Sequence, residues 1–353
     1  CEFEVYYKLT MIKTTQVAAD RAHDQTKTVL PAEVARGVYM RNAPSLAALK
    51  LMHLMIATAA GRMSEPVRHE IRLSDIRKID GMDNHTHMSL TPLFEELRST
   101  TLTHDDEDVG EVSIGGILDH AKMKYRHEIS GDTLVSWYFG RMFIDMAEKS
   151  NHWAIMDRQT VFHLRSKYSV LLFQHISSLT NLDHVTSKTF SIPDLRAMFG
   201  VPAGKLPRFA DLRRFAVEAA ITEINQLSRL SLTATPNKIG RTVASVTITW
   251  EVKQDPTETK RELDRPKVGR AARREGTAET PALSFPPTGS VKDTQPWDRI
   301  AREHAPKLDG RHTPDLLQLA EAFRKWCGGK SIHLDAVSIE KTFTTWCKSY
   351  LPR

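Results

Sequence analysis

The stretch that decides the fold runs from Phe190 to Glu251 and reads FSIPDLRAMFGVPAGKLPRFADLRRFAVEAAITEINQLSRLSLTATPNKIGRTVASVTITWE. It predicts a short helix, a basic turn, a long helix over residues 209–227 and a two-stranded ribbon. Ser191 is a favoured residue at a helix N-cap, and Pro193 falls in the first turn, where its missing N–H costs nothing. This order of elements is that of a winged helix-turn-helix.

Apolar spacing predicts both the long helix and the ribbon. Apolar residues of the helix recur every three or four positions, so one stripe is predicted to be buried. The stripe consists of Leu212, Ala216, Ala220, Ile224 and Leu227. Strands are predicted at residues 230–235 and 241–251, with a turn at 236–240, because Asn237 and Gly240 suit a loop that needs positive φ.

Basic residues cluster at two places in this stretch. The turn and the first part of the long helix carry Lys205, Arg208, Arg213 and Arg214, and the ribbon tip carries Lys238 and Arg241. Because that end of a recognition helix reaches base edges in the major groove, we interpret these six residues as a site for double-stranded DNA. Two other interpretations stay open: a small α+β core with a solvated basic face, and a winged helix that docks another protein.

The composition limits the class of protein. The chain has 353 residues, a formal net charge of +6 and a pI near 9.1, which suit several domains and an anionic partner. Its three cysteines form no CxxC pair, so we expect no disulfide framework, no metal site and no cofactor. The longest apolar run, residues 46–60, contains Lys50 and His53, so we expect no membrane span. The chain starts with Cys1, and Met11 is an alternative start.

Three helices followed by strands repeat the winged-helix order upstream. The helices are predicted at residues 45–60, 75–79 and 87–97, and the strands at 111–114, 120–127 and 133–144. This first winged-helix domain, residues 45–156, is expected to dimerise and to contact the DNA backbone. Residues 1–44 are polar and weakly periodic, which predicts a mobile arm with Arg36 and Arg41 available for phosphates.

The strand at 133–144 is the reason for placing a homodimer interface in the first domain. It contains Val135, Trp137, Tyr138 and Phe139, which offer more apolar surface than a small ribbon can bury on alternate positions. The alternative is that this face only covers the helix at 45–60.

The chain after residue 156 divides into three parts by composition. A long periodic helix over residues 157–179 opens the second winged-helix domain, residues 157–252. Residues 253–296 have almost no aromatics and predict a disordered linker. Residues 297–353 predict three short helices that include Trp326 and Trp346. The fold class is therefore α+β, mostly helical: two tandem winged-helix domains plus a small C-terminal helical module.

The second domain resembles the plasmid replication initiator (Rep) family of iteron-type plasmids, whose members contain two tandem winged helices. The resemblance is carried by Phe-x-x-Leu-Arg-Arg-x-x-Val-Glu-x-Ala-Ile-x-Glu-Ile-Asn at residues 209–225 and by Lys-x-Gly-Arg-x-Val at residues 238–243. It covers residues 158–251 closely and the first domain in element order only. The chain departs from the family pattern in carrying Leu206-Pro207 where a Tyr is common, and in its linker and C-terminal module.

The resemblance implies a function for the whole chain. Members of the family bind directly repeated origin sites as monomers, help to open an adjacent AT-rich segment, and recruit the host initiator and replicative helicase. Dimers joined through the first winged helix are less active and repress the protein's own gene. Such a protein is expected in the bacterial cytoplasm, associated with the nucleoid or the plasmid.

Catalytic motifs are missing from the sequence, so we expect no enzyme and no catalytic residues. There is no G-x-x-x-x-G-K-[ST] and no G-x-S-x-G. His85-Thr-His87 is similar to the paired histidines of rolling-circle nickases, but its middle residue is polar and no Tyr has an evident acidic partner. The alternative functions are a winged-helix transcriptional regulator without initiator activity and a protein-docking module. Two winged helices in one chain favour an initiator, because one monomer can then occupy two successive major grooves, about 34 Å apart.

Overall fold

The computed structural model describes residues 14–24, 26–37, 39–41, 43–79, 82, 84–106, 110–124, 132–265, 269–274, 284–307, 312–330, 332–334, 336 and 339–350. Cys1 and Met11 lie outside these residues. The chain divides into two compact units, residues 1–266 and residues 267–353.

The first winged-helix region and the residues before it contain the elements up to residue 157. Its helices are α1 (Thr14–Asp20), α2 (Leu46–Ala59), α3 (Leu73–Arg77), α4 (His87–Ser99) and α5 (Arg141–Lys149), with a π-helical turn at Glu33–Gly37 and a 3-10 turn at Ala60–Ser64. Its strands are β1 (Lys27–Pro31), β2 (Tyr39–Arg41), β3 (His69–Arg72), β4 (Thr101–Asp106), β5 (Glu111–Gly116), β6 (Leu118–Lys124), β7 (Leu134–Phe139) and β8 (Trp153–Asp157).

The second winged-helix region and the second unit contain the remaining elements. The second region has α6 (Arg158–His163), α7 (Lys167–Leu179), β9 (Ser187–Ser191), α8 (Ile192–Met198), the long helix α9 (Phe209–Leu212, Arg213–Glu218 and Ala219–Leu227 in succession), β10 (Leu230–Ile239), β11 (Thr242–Val252) and α10 (Thr257–Asp264). The second unit has α11 (Arg270–Arg274), α12 (Trp297–His304), α13 (Leu316–Gly329) and α14 (Ile339–Ser349).

Among the described residues the strands form four small antiparallel sheets. Their strand orders are β1-β8, β2-β4-β5, β3-β7-β6 and β10-β11-β9. A single hydrophobic core runs through both winged helices and includes Leu49 and Met52 of α2, Trp137 of β7, and Leu172 and Ile176 of α7. The predicted fold class, two tandem winged helices with a C-terminal helical module, is confirmed.

The expected mobile arm at residues 1–44 is wrong for the residues that the structure describes. Residues 14–41 contain α1, β1, the π-helical turn and β2. Strand β1 pairs with β8, with Lys27 opposite Asp157 and their charged groups 3.0 Å apart. Leu30 and Val34 are buried. The partner strand lies more than 120 residues away in sequence, so local periodicity carried no sign of this pairing.

The expected strand at residues 133–144 is half right. Strand β7 ends at Phe139, and α5 begins at Arg141. The helix buries Phe143 and Ala147 on one face, and Arg141 pairs with Asp145 one turn away at 2.7 Å. The two-residue alternation of β7 stops at Phe139, and the apolar residues after it recur at helical spacing.

The apolar residues of β7 do not form the surface that was expected for a dimer. Strand β7 lies between β3 and β6, and its Val135, Trp137 and Phe139 are buried in the core. The half-buried ring of Tyr138 stacks on His120 at 4.7 Å. These buried side chains belong to the same core as helix α2, in agreement with the alternative that this face covers the helix at 45–60.

The expected helix at residues 157–179 is two helices, α6 and α7. Asp157 caps the first, because its carboxylate accepts the backbone N–H of Thr160 at 2.9 Å. Ser166 caps the second through Tyr168 N–H at 3.2 Å. Each cap satisfies N–H groups that a helix start leaves free, so the break at residues 164–166 is stable.

The expected disordered linker at residues 253–296 is wrong at both ends. Helix α10 packs on the first unit, with Leu263 buried in its core. The Lys253 ammonium donates to the carbonyl of Asn225 and, at 2.8 Å, to that of Ser228. In the second unit, Phe285 and Val291 are buried in that unit's core. The first unit therefore extends about one helix beyond the ribbon.

One helical segment among the described residues, Leu46–Ser64, is long and apolar enough to cross a membrane by length and composition. Within the most apolar 18 residues of this segment, 61% are buried inside the protein. Its Lys50 is also buried and donates to the Phe162 carbonyl at 2.6 Å. Such burial is typical of a helix in the core of a protein.

Candidate nucleic-acid interface

Helix α8 begins where the sequence predicts, at a Ser191 cap. The Ser191 hydroxyl accepts the backbone N–H of Asp194 at 3.2 Å and donates to the Asp194 carboxylate at 2.6 Å. The helix ends at Met198, and Gly200, two residues further on, has a φ of 55°. A Cβ at Gly200 would stand 2.1 Å from the Cβ of Ala43, so only glycine fits this contact with the segment that precedes α2.

The basic turn before α9 is held in place by Arg196 of α8. The Arg196 guanidinium donates to the carbonyl of Lys205 at 3.0 Å, to that of Pro207 at 3.2 Å, and also to that of Leu206. Leu206 has a φ of 48°, an uncommon conformation for a residue with a side chain. Three hydrogen bonds from one charged group fix the backbone immediately before the recognition helix.

Helix α9 buries the predicted stripe and exposes the opposite side. All five stripe residues are buried: Leu212, Ala216, Ala220, Ile224 and Leu227. The middle of the helix, Arg213–Glu218, is π-helical, which periodicity did not predict. The Arg213 guanidinium lies 2.6 Å from the Glu218 carboxylate five residues on, and that spacing matches a π-helical turn.

The four basic residues predicted at the start of α9 are all exposed, but two of them are paired with acids. Arg208 donates two hydrogen bonds to Asp211, at 2.8 and 3.1 Å. These bonds hold the pKa of the Asp211 carboxyl below its usual value and raise the pKa of Arg208. Arg213 is paired with Glu218, whereas Lys205 makes no ion pair with a described residue.

Arg214 is the basic residue most directly presented by the helix. Its guanidinium lies 5.2 Å from the ring centre of Phe215, whose side chain is itself 52% exposed. An Arg stacked on an aromatic ring keeps its donors free at the edge of the guanidinium plane. Arg214 therefore lies on the exposed side of α9 and makes no ion pair with a residue that the structure describes.

The ribbon is longer than predicted, and its turn is tighter. Strand β10 reaches Ile239 and β11 starts at Thr242, so Gly240 and Arg241 alone form the turn. Gly240 has a φ of 63°, as a two-residue hairpin turn requires. The expected turn at residues 236–240 is therefore wrong, yet Lys238 and Arg241 are exposed at the tip.

Three residues of the Glu-Ile-Asn motif hold the helix to its surroundings. The buried Glu223 carboxylate accepts the backbone N–H of Arg165 at 2.9 Å. The Asn225 side chain donates to the Leu232 carbonyl at 2.9 Å and accepts its N–H at 2.7 Å, as a neighbouring strand would. Ile224 lies in the core. The motif thus positions α9 against the neighbouring elements.

A second basic site lies outside the α9 surface. Arg36, on the π-helical turn, and Lys188 of β9 are both half-buried. Burial lowers the pKa of each, and the nearby positive charge of Arg36 lowers the pKa of Lys188 further. The negative charges of Glu33 near Arg36 and of Asp194 near Lys188 offset part of these pKa shifts. The sequence singled out Arg36 and missed Lys188 and Arg196, since no local pattern marks either.

Within its described residues, the first winged helix has no helix as basic as the start of α9. In order of elements α4 corresponds to α9, but it carries Glu95 and Glu96 against one exposed Arg98. Within the described part of the chain, no group of three or more His, Cys, Asp and Glu side chains could hold a metal ion. Among the described residues, exposed basic side chains are therefore more concentrated at the start of α9 than on α4.

The fold and this surface define a class, the tandem winged-helix proteins with a basic recognition helix. The family described as "Initiator Replication protein, WH1" matches residues 34–177, and "Initiator Rep protein, WH2" matches residues 191–250. Together they span more than half of the chain. The chain belongs to the initiator Rep protein family, and it is a DNA-binding replication initiator.

Two solved structures are similar in fold. The Pi initiator protein in complex with iteron DNA is 17% identical, with a TM-score of 0.47 over 65% of this chain and 99% of that one. Domains 2 and 3 of RctB are 9% identical, with a TM-score of 0.36 over 58% of this chain and 80% of theirs. Comparison with curated proteins gave no significant match.

Proposed function

We propose that this protein initiates plasmid replication by binding directly repeated sites of double-stranded DNA at the origin. The second winged helix reads the sequence, with α9 in the major groove and the Lys238–Arg241 tip on the backbone or in the minor groove. The proposal is supported by the exposed Arg214 and Lys205 at the start of α9, neither ion-paired with a described residue, in a chain of the initiator family.

The remaining steps follow from the family. Bound monomers help to open an adjacent AT-rich segment, and they recruit the host initiator and the replicative helicase. The first winged helix adds a contact to the DNA backbone, for which the half-buried Arg36 supplies positive charge. The protein acts in the bacterial cytoplasm, on the plasmid, without enzymatic activity of its own.

A dimer through the first winged helix represses the protein's own gene in this proposal. Strand β5 is the edge of the sheet β2-β4-β5, and its Val112 and Ile114 are 56% and 69% exposed. An edge strand presents unpaired N–H and C=O groups to a second strand. We therefore place the dimer contact at β5, in place of the buried residues of β7.

Salt-titrated binding to the repeats next to the gene tests the proposal. Alanine at Lys205, Arg208, Arg213 or Arg214 is expected to weaken binding, by about 1–3 kcal/mol where the residue reads a guanine. Replacing a residue that contacts phosphate is expected to lower the dependence of affinity on salt concentration by about one in slope. If none of the four changes affinity by twofold, α9 is not the reader.

The competing function is a transcriptional regulator that uses the same surface. Both functions need repeat binding, so the discriminating measurement is strand opening. Permanganate reactivity of thymines in the AT-rich segment, with protein and host initiator present, is expected to rise for an initiator. Repeat binding without any such reactivity would favour the regulator.

A further inference from the structure

The second unit carries a row of aromatic rings outside its fully buried core. Phe285, Phe323 and Phe343 are completely enclosed. Trp326, Trp346 and Tyr350 are only half-buried and follow one another, with ring centres 6.5 Å apart for the first pair and 4.9 Å for the second. The three phenylalanines and Trp297 fill the core. The rings of Trp326, Trp346 and Tyr350 lie at its edge, with part of their surface in contact with solvent.

The helical segments that carry these rings are rich in positive charge. Residues 323–330 of α13 and its cap and 341–350 of α14 and its end contain no Asp or Glu, and they contain Arg324, Lys325, Lys330, Lys341 and Lys348. Lys330 caps the C-terminal end of α13, and its backbone N–H donates to the carbonyl of Trp326, one turn before it, at 3.2 Å. Lys325 and Lys330 are exposed. The whole unit has 15 Lys and Arg against 10 Asp and Glu, so it carries most of the chain's net charge.

We propose that the row formed by Trp326, Trp346 and Tyr350 binds single-stranded DNA. Aromatic side chains stack on the faces of unpaired bases, and lysines beside them attract the phosphates of the same strand. In a duplex both faces of each base are covered by its neighbours, so these rings have nothing to stack on there. The combination of exposed ring surface and one sign of charge therefore selects the single strand.

The proposal goes beyond duplex recognition by the second winged helix, because it uses other residues on the other unit. An acidic protein surface is the competing occupant, and it would be held by the lysines without needing the rings. The biological meaning rests on the proposed function, because opening an AT-rich segment supplies the single strand. The binding itself does not depend on that function.

The test uses the full-length protein and a fluorescein-labelled dT20 oligonucleotide, followed by anisotropy. Tyr350→Leu removes one ring near the end of α14, and Lys325→Glu with Lys330→Glu reverses two exposed charges. Tyr350→Leu is expected to bind dT20 about tenfold or more weakly, as loss of one stacked base implies. The double lysine variant is expected to bind about tenfold or more weakly as well, because two reversed charges repel the phosphates. Both are expected to bind the duplex repeats within twofold of the wild type. Lys292→Glu, an exposed lysine outside both helices, is the matched charge control and is expected to leave dT20 binding unchanged.

A second comparison separates this proposal from the proposed function. Arg208→Ala with Arg214→Ala is expected to weaken duplex binding and leave dT20 binding intact. If that variant abolishes dT20 binding while the Tyr350 and lysine variants retain it, the single strand binds the winged helix and the proposal is overturned. It is also overturned if the wild type does not bind dT20 at micromolar protein, or if only the lysine variant weakens binding. Far-UV circular dichroism of each variant confirms that the unit is folded.

Discussion

The guanidinium of Arg208 and the carboxylate of Asp211 are joined by two hydrogen bonds, at 2.8 and 3.1 Å, in the first turn of the recognition helix. The pair is exposed on the arginine side, where the Arg208 side chain is 79% accessible. Asp211 is held at the N-terminal end of α9, where a negative charge is favourable. Without DNA, one of the cations proposed to contact DNA is therefore partly neutralised by its own helix.

Replacing Asp211→Asn is expected to strengthen duplex binding, because Arg208 becomes free and one negative charge leaves the interface. We expect about a threefold to tenfold gain at low salt, with a salt slope steeper by about one. Titrations of the origin repeats at several NaCl concentrations measure both. Glu258→Gln, which removes a similarly spaced exposed partner from Arg261 on α10, is the control and is expected to change nothing. A loss of affinity in Asp211→Asn would mean that the pair orients Arg208 for binding.

The wing tip gives a second prediction. Lys238→Ala with Arg241→Ala is expected to remove protection at the edge of the footprint and to lower the salt slope by about two, because two phosphate contacts are lost. Protection at the centre of the site is expected to remain, since α9 is unchanged. Lys260→Ala, an exposed lysine on α10, is the control. An unaltered footprint for the double variant would show that the tip is only a solvated turn.

The proposed dimer contact at β5 gives a third prediction. Ile114→Lys places a charge on the exposed edge strand and is expected to shift the protein to a monomer, because a buried lysine cannot be solvated in the contact. Sedimentation velocity over a range of concentrations measures the change. Ile239→Lys, at a 77% exposed isoleucine of the wing, is the matched control and is expected to leave the dimer intact. Equal dimerisation of both variants would move the contact away from β5.

Acid is expected to destabilise the first unit through two buried histidines. Burial lowers the pKa of His53 to about 4, and burial with the positive charges of Lys188 and Arg36 lowers the pKa of His175 to about 3. The unfolded chain binds these protons near pH 6.5, so stability is full above that pH. As the pH falls from 6.5 towards 4, each histidine lowers the free energy of unfolding by up to about 1.4 kcal/mol per pH unit.

Urea unfolding at pH 7.5, 6.0 and 5.0 measures this dependence. The variant His53→Leu is expected to show a flatter decline than the wild type, because it has one fewer group to protonate on unfolding. His152→Gln, at an exposed histidine of the same unit, is expected to follow the wild type. A decline that is identical in all three proteins would assign the acid sensitivity to other groups.

Helix α10 gives the last prediction. Leu263→Ala is expected to lower the free energy of unfolding by about 2–4 kcal/mol, as for other buried leucines, because Leu263 is only 7% exposed in the core. Val252→Ala, at a 52% exposed valine, is expected to have little effect. A chain that ends at residue 266 is likewise expected to be more stable than one that ends at 252, which lacks Lys253 and its three hydrogen bonds. Equal stability of the two truncated chains would contradict a structural role for α10.

The sequence by itself determined the elements that depend on near neighbours along the chain. The Ser191 cap, the buried stripe of α9 and the alternating strand β11 all follow from spacings of a few residues. The exposed basic positions of the turn and the wing follow as well, because their neighbours fill the core. Residue spacing of this kind is set by the helical and extended repeats, which need no distant partner.

Only the tertiary structure decided the features that join distant parts of the chain. Pairing of β1 with β8, burial of Trp137 between β3 and β6, and docking of Leu263 each depend on a surface formed by residues far away in sequence. Arg196 likewise reaches three carbonyls of the basic turn only because α8 and the turn fold against each other. The stability of such contacts comes from burial and hydrogen bonds made on folding, and local periodicity carries no record of them.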